Sequence, residues 1–133
     1  MKFTAIIQAR ISSIRYPNKV LAKIGKKKIL EIIIKRLEKS KCIESIIVAT
    51  TKNDEDEQIV NLCKKLNVKT FRGSQNDVID RYYKCVKFYN ISNIVRITAD
   101  CPLIDYLIVD EMIAEFKKKK LDYFSNTLLP SFP

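Results

Sequence analysis

The chain predicts an α/β fold, a mostly parallel sheet with helices on both faces. Short β-branched runs alternate with longer segments of helical period, in the order β-α-β-α-β-α-β-α. No repeat, low-complexity tract or Gly/Pro/Ser-rich linker breaks the 133 residues. One continuous unit over 1–133 is expected, long enough for one core and too short for two ordinary domains.

The first strand is expected over 3–8, where Phe3-Thr4-Ala5-Ile6-Ile7 reads as buried. A helix over 29–40 follows, with Ile29, Ile33 and Leu37 recurring at i, i+4, i+8 and Leu30 and Ile34 beside them. The second strand is expected over 45–50, then a helix over 54–66 whose buried face is Ile59, Leu62, Cys63 and Leu66. Asn53 is its expected cap, and Asp54 to Glu57 enrich a first turn where the helix dipole favours anions. A strand over 68–71 leads to a helix over 77–89, with Val78, Tyr82 and Val86 on one stripe and Ser74-x-x-Asp77 resembling a capping box. The fourth strand, 93–98, precedes a helix over 106–119, capped by Asp105 and burying Val109, Met112, Ile113 and Phe116. A weak strand is expected over 121–125. Residues 127–133 read as the approach to a further segment.

Composition narrows the classes. Hydrophobic residues make up 47% and charged residues 30%, the balance of a globular protein in water. The apolar runs are too short and too often broken by charge to span a bilayer, and the N-terminus has no secretory pattern, so the cytoplasm is expected. Cys42, Cys63, Cys85 and Cys101 form no C-x-x-C pair and His is absent, which disfavours zinc and suits a reducing compartment. The net charge of +10 invites a nucleic-acid reading. The lysines, however, cluster at helix edges and ends, and the aromatics fall on core stripes without offering a stacking platform. Solvated surface is the better reading, and no nucleic-acid or membrane partner is expected.

Three constellations lie just past strand ends, where open α/β sheets bind ligands. The first is the loop Gln8-Ala9-Arg10-Ile11-Ser12-Ser13-Ile14-Arg15-Tyr16-Pro17-Asn18-Lys19, whose three cations suit a polyphosphate. It matches neither glycine-rich phosphate fingerprint, so side-chain cations and free backbone N–H groups would hold the phosphates. The second is Asp100, a strand-end carboxylate of the kind that holds magnesium together with substrate phosphates, or else a turn residue before Pro102. The third runs from Phe71 to Tyr83. There Arg72 and Gly73 could approach a base or ribose, Ser74 and Asp77 are explained by capping, and Asp80 and Arg81 are close enough for a local ion pair.

The runs IIQARISSIRYPNKVL, VATT, FRGSQNDVIDRYY, VRITADCPLID and DYFSNT resemble the spore-coat polysaccharide cytidylyltransferase group. That group is related to acylneuraminate and 3-deoxy-manno-octulosonate cytidylyltransferases. The resemblance implies the nucleotide-diphospho-sugar transferase (Rossmann-like) architecture. It also implies attack by a sugar oxygen on the α-phosphorus of CTP, with Mg2+ as cofactor and pyrophosphate released, for surface polysaccharide or glycan synthesis. Arg10, Ser13, Arg15 and Lys19 match the signature that embraces the phosphates, with Arg10 and Lys19 as the catalytic pair. Gln8 and Ala9 border the implied pocket, Arg72 and Asp77 match positions near nucleotide and sugar, and Asp100 matches the metal-binding aspartate.

Departures accompany the likeness. Ser12 and Asn18 stand where the family usually has Gly, and Tyr16 where it has Leu. Asn18 tolerates a left-handed backbone better than Ser12. Members of the group continue past the equivalent of Pro133, into a segment that brings a second acidic ligand, sugar contacts and often the arm of a homodimer. A C-terminally truncated unit is therefore expected, without that arm. The alternative to an enzyme is a truncated nucleotide-binding module without catalysis.

Overall fold

The computed structural model describes residues 1–127. Six strands and four helices follow one another along the chain: β1 (Phe3–Gln8), β2 (Lys23–Ile24), β3 (Lys27–Lys28), α1 (Ile29–Leu37), β4 (Ile43–Thr51), α2 (Glu57–Lys65), β5 (Lys69–Gly73), α3 (Val78–Tyr89), β6 (Ile94–Thr98) and α4 (Tyr106–Lys119). The main sheet has the order β5-β4-β1-β6 and every pairing in it is parallel. A parallel sheet buried on both faces reads as continuous apolar runs, and β1 does so, with Phe3 to Ile7 all buried.

Alternation along the strands divides the core in two. Ala5 and Ile7 join Val48 and Ile97 on the face covered by α1, α2 and α4, through Leu30, Ile33, Ile34, Ile59, Cys63, Val109 and Ile113. Ile6, Ile47 and Ala49 face α3 through Tyr82 and Cys85. Helices thus lie on both faces, three on one and one on the other.

Several local expectations change. Residues 121–125 are not a strand. After the αL cap at Lys120, which ends α4, they run as irregular chain. The hairpin β2–β3, turning at Gly25 with φ 65°, was not anticipated, because its two-residue strands are too short to show a period. Residues 54–56 form a 3-10 turn and α2 begins at Glu57. Asn53 makes no side-chain cap, its amide being spent on Gln75. Of the tail, residues 128–133 lie outside the described residues.

All four cysteines are free thiols, as their spacing suggested. Burial pushes Cys63 from the ordinary 9.0 up to about 12 and Cys85 up to about 11, so both stay protonated and pack as small apolar side chains. The aromatics are less buried than the stripes implied: Tyr16, Tyr83, Phe88 and Tyr123 are exposed. Among the described residues no helix is long and apolar enough to cross a membrane.

Candidate functional site

The chain runs from β1 to β4 to β5 across one half of the sheet, then returns to β6 on the other side of β1. That reversal sets the ends of β1 and β6 side by side at the carboxyl edge, where open α/β sheets bind ligands. Gln8, the last residue of β1, pairs with Thr98, the last of β6. The cationic loop and Asp100 therefore start from adjacent strand ends.

The loop is anchored at both ends, and between them Ser12 Oγ accepts from Gln75 Nε2 at 3.5 Å. Ala9 N–H donates to the Ala49 carbonyl at 3.1 Å, and Ala9, Ile11 and Val20 are buried. Ile11 N–H donates to Asp56 Oδ1 at 2.7 Å, and the Thr51 hydroxyl donates to Asp56 Oδ2. Asn18 N–H donates to the Ile11 carbonyl at 3.0 Å and closes a neck. Residues 12–17 form the lobe beyond it. Asn18 occupies the left-handed region at φ 60°, ψ 15°, the conformation a glycine there would supply. Ser12 has no positive φ, so the side chain in place of the family's glycine introduces no backbone strain of that kind.

Arg10 and Arg15 are exposed and Lys19 half-buried, and among the described residues none of them forms an ion pair. Three cations without an ion-pair partner therefore lie on one anchored loop. Ser13 Oγ accepts from Tyr16 N–H at 3.5 Å and steadies the lobe. Gln8 Oε1 accepts from Arg96 Nη2 at 3.1 Å, which fixes the side chain at the end of β1. Arg96 itself lies over the Tyr82 ring at 5.5 Å.

Asp100 is exposed and accepts from the Thr98 hydroxyl at 2.6 Å through Oδ1. Among the described residues no group of three or more His, Cys, Asp or Glu side chains gathers. A lone strand-end carboxylate suits Mg2+, which keeps several waters and takes one or two carboxylates plus substrate phosphates. The donor set therefore fits that ion and disfavours zinc, which would need a closed set of N or S ligands.

Arg72 and Asp77 are placed differently from the loop cations. Arg72 donates through Nε to the Thr51 carbonyl at 2.8 Å and through Nη2 to the Asn53 carbonyl at 2.6 Å, and its Nη1 lies 2.5 Å from Glu57. Its guanidinium braces the segment between β4 and α2. Asp77 caps α3 by accepting from Asp80 N–H at 2.9 Å, and Ser74 Oγ accepts from Asp77 N–H. Ser74 thus shapes the turn ahead of the cap instead of forming a capping box.

Two residues near the site escaped the sequence reading. Asp56 is fully buried and ties the first loop to β4, whereas the acidic run around it suggested only dipole complementation. Arg81 is 2% exposed and makes no pair with Asp80, which instead binds Lys84 at 2.9 Å. A signal existed for Arg81: it falls between Val78 and Cys85 on the inward stripe of α3. No such signal exists for Asp56, because its partners, Ile11 and Thr51, come from other elements.

Comparison with known proteins bears on the family and the fold. An uncharacterized protein of Methanocaldococcus jannaschii is 50% identical over 94% of this chain and 51% of its own length. The spore coat polysaccharide biosynthesis protein SpsF of Bacillus subtilis is 34% identical over 89% of this chain and 51% of its own. The solved structure of a cytidylyltransferase from Leptospira borgpetersenii superposes with a TM-score of 0.86 at 43% identity, over 90% of this chain and 50% of that one. The chain spans about half the length of the curated relatives it matches. The family model for cytidylyltransferases covers residues 4–132, and the chain belongs to that family.

Proposed function

We propose that this chain supplies the nucleotide-binding half of a CTP-dependent cytidylyltransferase, working in the cytoplasm to activate a sugar or sugar acid for surface polysaccharide or glycan synthesis. One observation carries the reading: three cations without an ion-pair partner sit on an anchored loop that leaves β1 beside the strand end from which Asp100 follows. Phosphoryl transfer of this kind needs positioning and charge neutralisation and no side-chain nucleophile. Arg10, Arg15 and Lys19 bind and orient the phosphates, and Ser13 keeps the lobe in shape. Arg10 and Lys19 balance the charge that develops on the phosphoryl oxygens during displacement. Ala9 and Gln8, fixed by the strand end and by Arg96, form the floor under the nucleoside. Asp100 would hold Mg2+. The ion, when bound, supplies Lewis-acid polarisation of the phosphoryl oxygens.

The test is pyrophosphate release on mixing the chain with CTP, Mg2+ and a panel of sugar acids and sugar phosphates. Turnover that vanishes in Lys19→Ala supports the reading. The second reading, nucleotide binding without turnover, rests on the chain covering about half of its relatives. It is distinguished by a thermal shift with CTP and Mg2+ alone, since a ligand at 100 times its Kd adds about 2.7 kcal/mol. Absence of both turnover and shift would sink both.

A further inference from the structure

We infer that Arg81 is a further nucleotide-binding residue, whose buried guanidinium is kept unpaired so that it can donate to an acceptor oxygen of the bound nucleotide. The inference rests on the nucleotide-binding reading above and adds a residue to it from a different element.

The argument begins with an imbalance. Among the described residues, the buried side-chain nitrogens and oxygens without a partner are Thr50 Oγ1 and two atoms of one side chain, Arg81 Nε and Nη1. An Arg that is 2% exposed and lacks partners on two nitrogens is costly, because a buried cation needs compensation and its N–H groups need acceptors. The fold does not avoid this cost. It holds the side chain in place, since a Cβ on Gly73 would lie 2.9 Å from Arg81 Cγ, so the absence of that carbon at the end of β5 makes room for the arginine.

The surroundings say what kind of group is wanted. Of the charged groups close enough to act on Arg81, Arg10, from the first loop, opposes its charge and Asp56 favours it. Asp56 is already committed to Ile11 N–H and the Thr51 hydroxyl. Two guanidinium groups therefore share one engaged carboxylate, and the local charge is positive. Burial and the nearby Arg10 both work against the charged form of Arg81, and an incoming anion relieves both. Asp80, the acid next to it in sequence, points to Lys84 and gives no help. Unmet donors, excess positive charge and proximity to the phosphate loop converge on an oxygen acceptor of the nucleotide, with phosphate the best match to the charge.

A structural role and a ligand-waiting role make opposite forecasts for stability. If Arg81 only filled space, replacing it would weaken the folded chain and leave binding alone. If it waits for ligand, Arg81→Met, which keeps the length and removes the charge, should leave the ligand-free chain as stable or more so. It should also weaken nucleotide binding roughly ten-fold or more, the scale of a hydrogen bond to a charged group. Arg81→Lys, retaining charge with a different donor geometry, should fall between and guards against a folding defect in the Met variant.

The experiment measures Kd for CTP and for inorganic tripolyphosphate, by calorimetry, for the wild-type chain and both variants, beside urea midpoints without ligand. Weakening toward both ligands places the acceptor on phosphate; weakening toward CTP alone places it on the nucleoside. Unchanged CTP affinity in Arg81→Met, with normal wild-type binding, overturns this inference and leaves the nucleotide-binding reading intact. Tripolyphosphate binding that depends on Arg81, without any gain from CTP, keeps the arginine as an anion site and removes CTP. No binding of either ligand to the wild-type chain overturns both.

Discussion

Asp56 decides whether the first loop has a fixed shape. Its two oxygens accept from Ile11 N–H and from the Thr51 hydroxyl, with no access to water. Asp56→Ala leaves two buried donors unmet, so a loss of about 2–4 kcal/mol is expected in urea denaturation. A change under half a kcal/mol would show that the loop holds itself. Asn18 poses a gentler test. At φ 60° a glycine fits at least as well as asparagine, while a β-branched residue is strained. Asn18→Gly should therefore lie within a few tenths of a kcal/mol of wild type and Asn18→Val should lose about 1–2 kcal/mol, read from the same denaturation curves. Much of this scale was legible in the sequence: the loop cations, the tolerance of Asn18 and the position of Asp100 all follow from residue type and order. What was not legible depends on chain folding back on itself. Asp56 meets a residue 45 positions away, and no local pattern encodes that.

At the scale of elements, the alternation of strands and helices set most of the architecture, because amphipathic periods in α1, α2 and α3 are strong, and α4, whose period is weaker, still buries Val109 and Ile113. The misses are short pieces. The β2–β3 hairpin has two residues per strand, and the 3-10 turn over Asp54–Asp56 interrupts what looked like one helix. The start of α3 separates capping from ligand contact. Asp77 accepts from Asp80 N–H, so Asp77→Ala should cost about 1 kcal/mol and Asp77→Asn, an equally good cap, should restore it. If Asp77 also touches nucleotide or sugar, Asn will rescue stability without rescuing CTP affinity. Equal rescue of both would confine the residue to its cap.

The whole molecule titrates at its core. Cys63 and Cys85 hold their protons up to about 12 and about 11, whereas an unfolded thiol releases its proton near 9.0. Above pH 9.0 the unfolded chain binds fewer protons than the folded one, so stability falls as pH rises, through the window from 9.0 to about 12. Urea midpoints should decline on going from pH about 8 to about 10.5, and less steeply in a Cys63→Ala, Cys85→Ala double variant. An identical decline in the two proteins would exclude the thiols as its source. In the same core β1 lies between β4 and β6, so the first loop and the segment carrying Asp100 spring from paired strands.

The neck between Ile11 and Asn18 has a consequence for how this molecule can change over generations. With both ends pinned, residues 12–17 form a short closed lobe, and closing a loop of that length costs little chain entropy. Ile14, fully in solvent, has no packing role in the core to lose. Substitutions inside the lobe can therefore tune grip and selectivity with little penalty in folding, while substitutions at the neck are tested by folding first. The loop is a part of the chain where novelty is cheap, held by two positions where it is not.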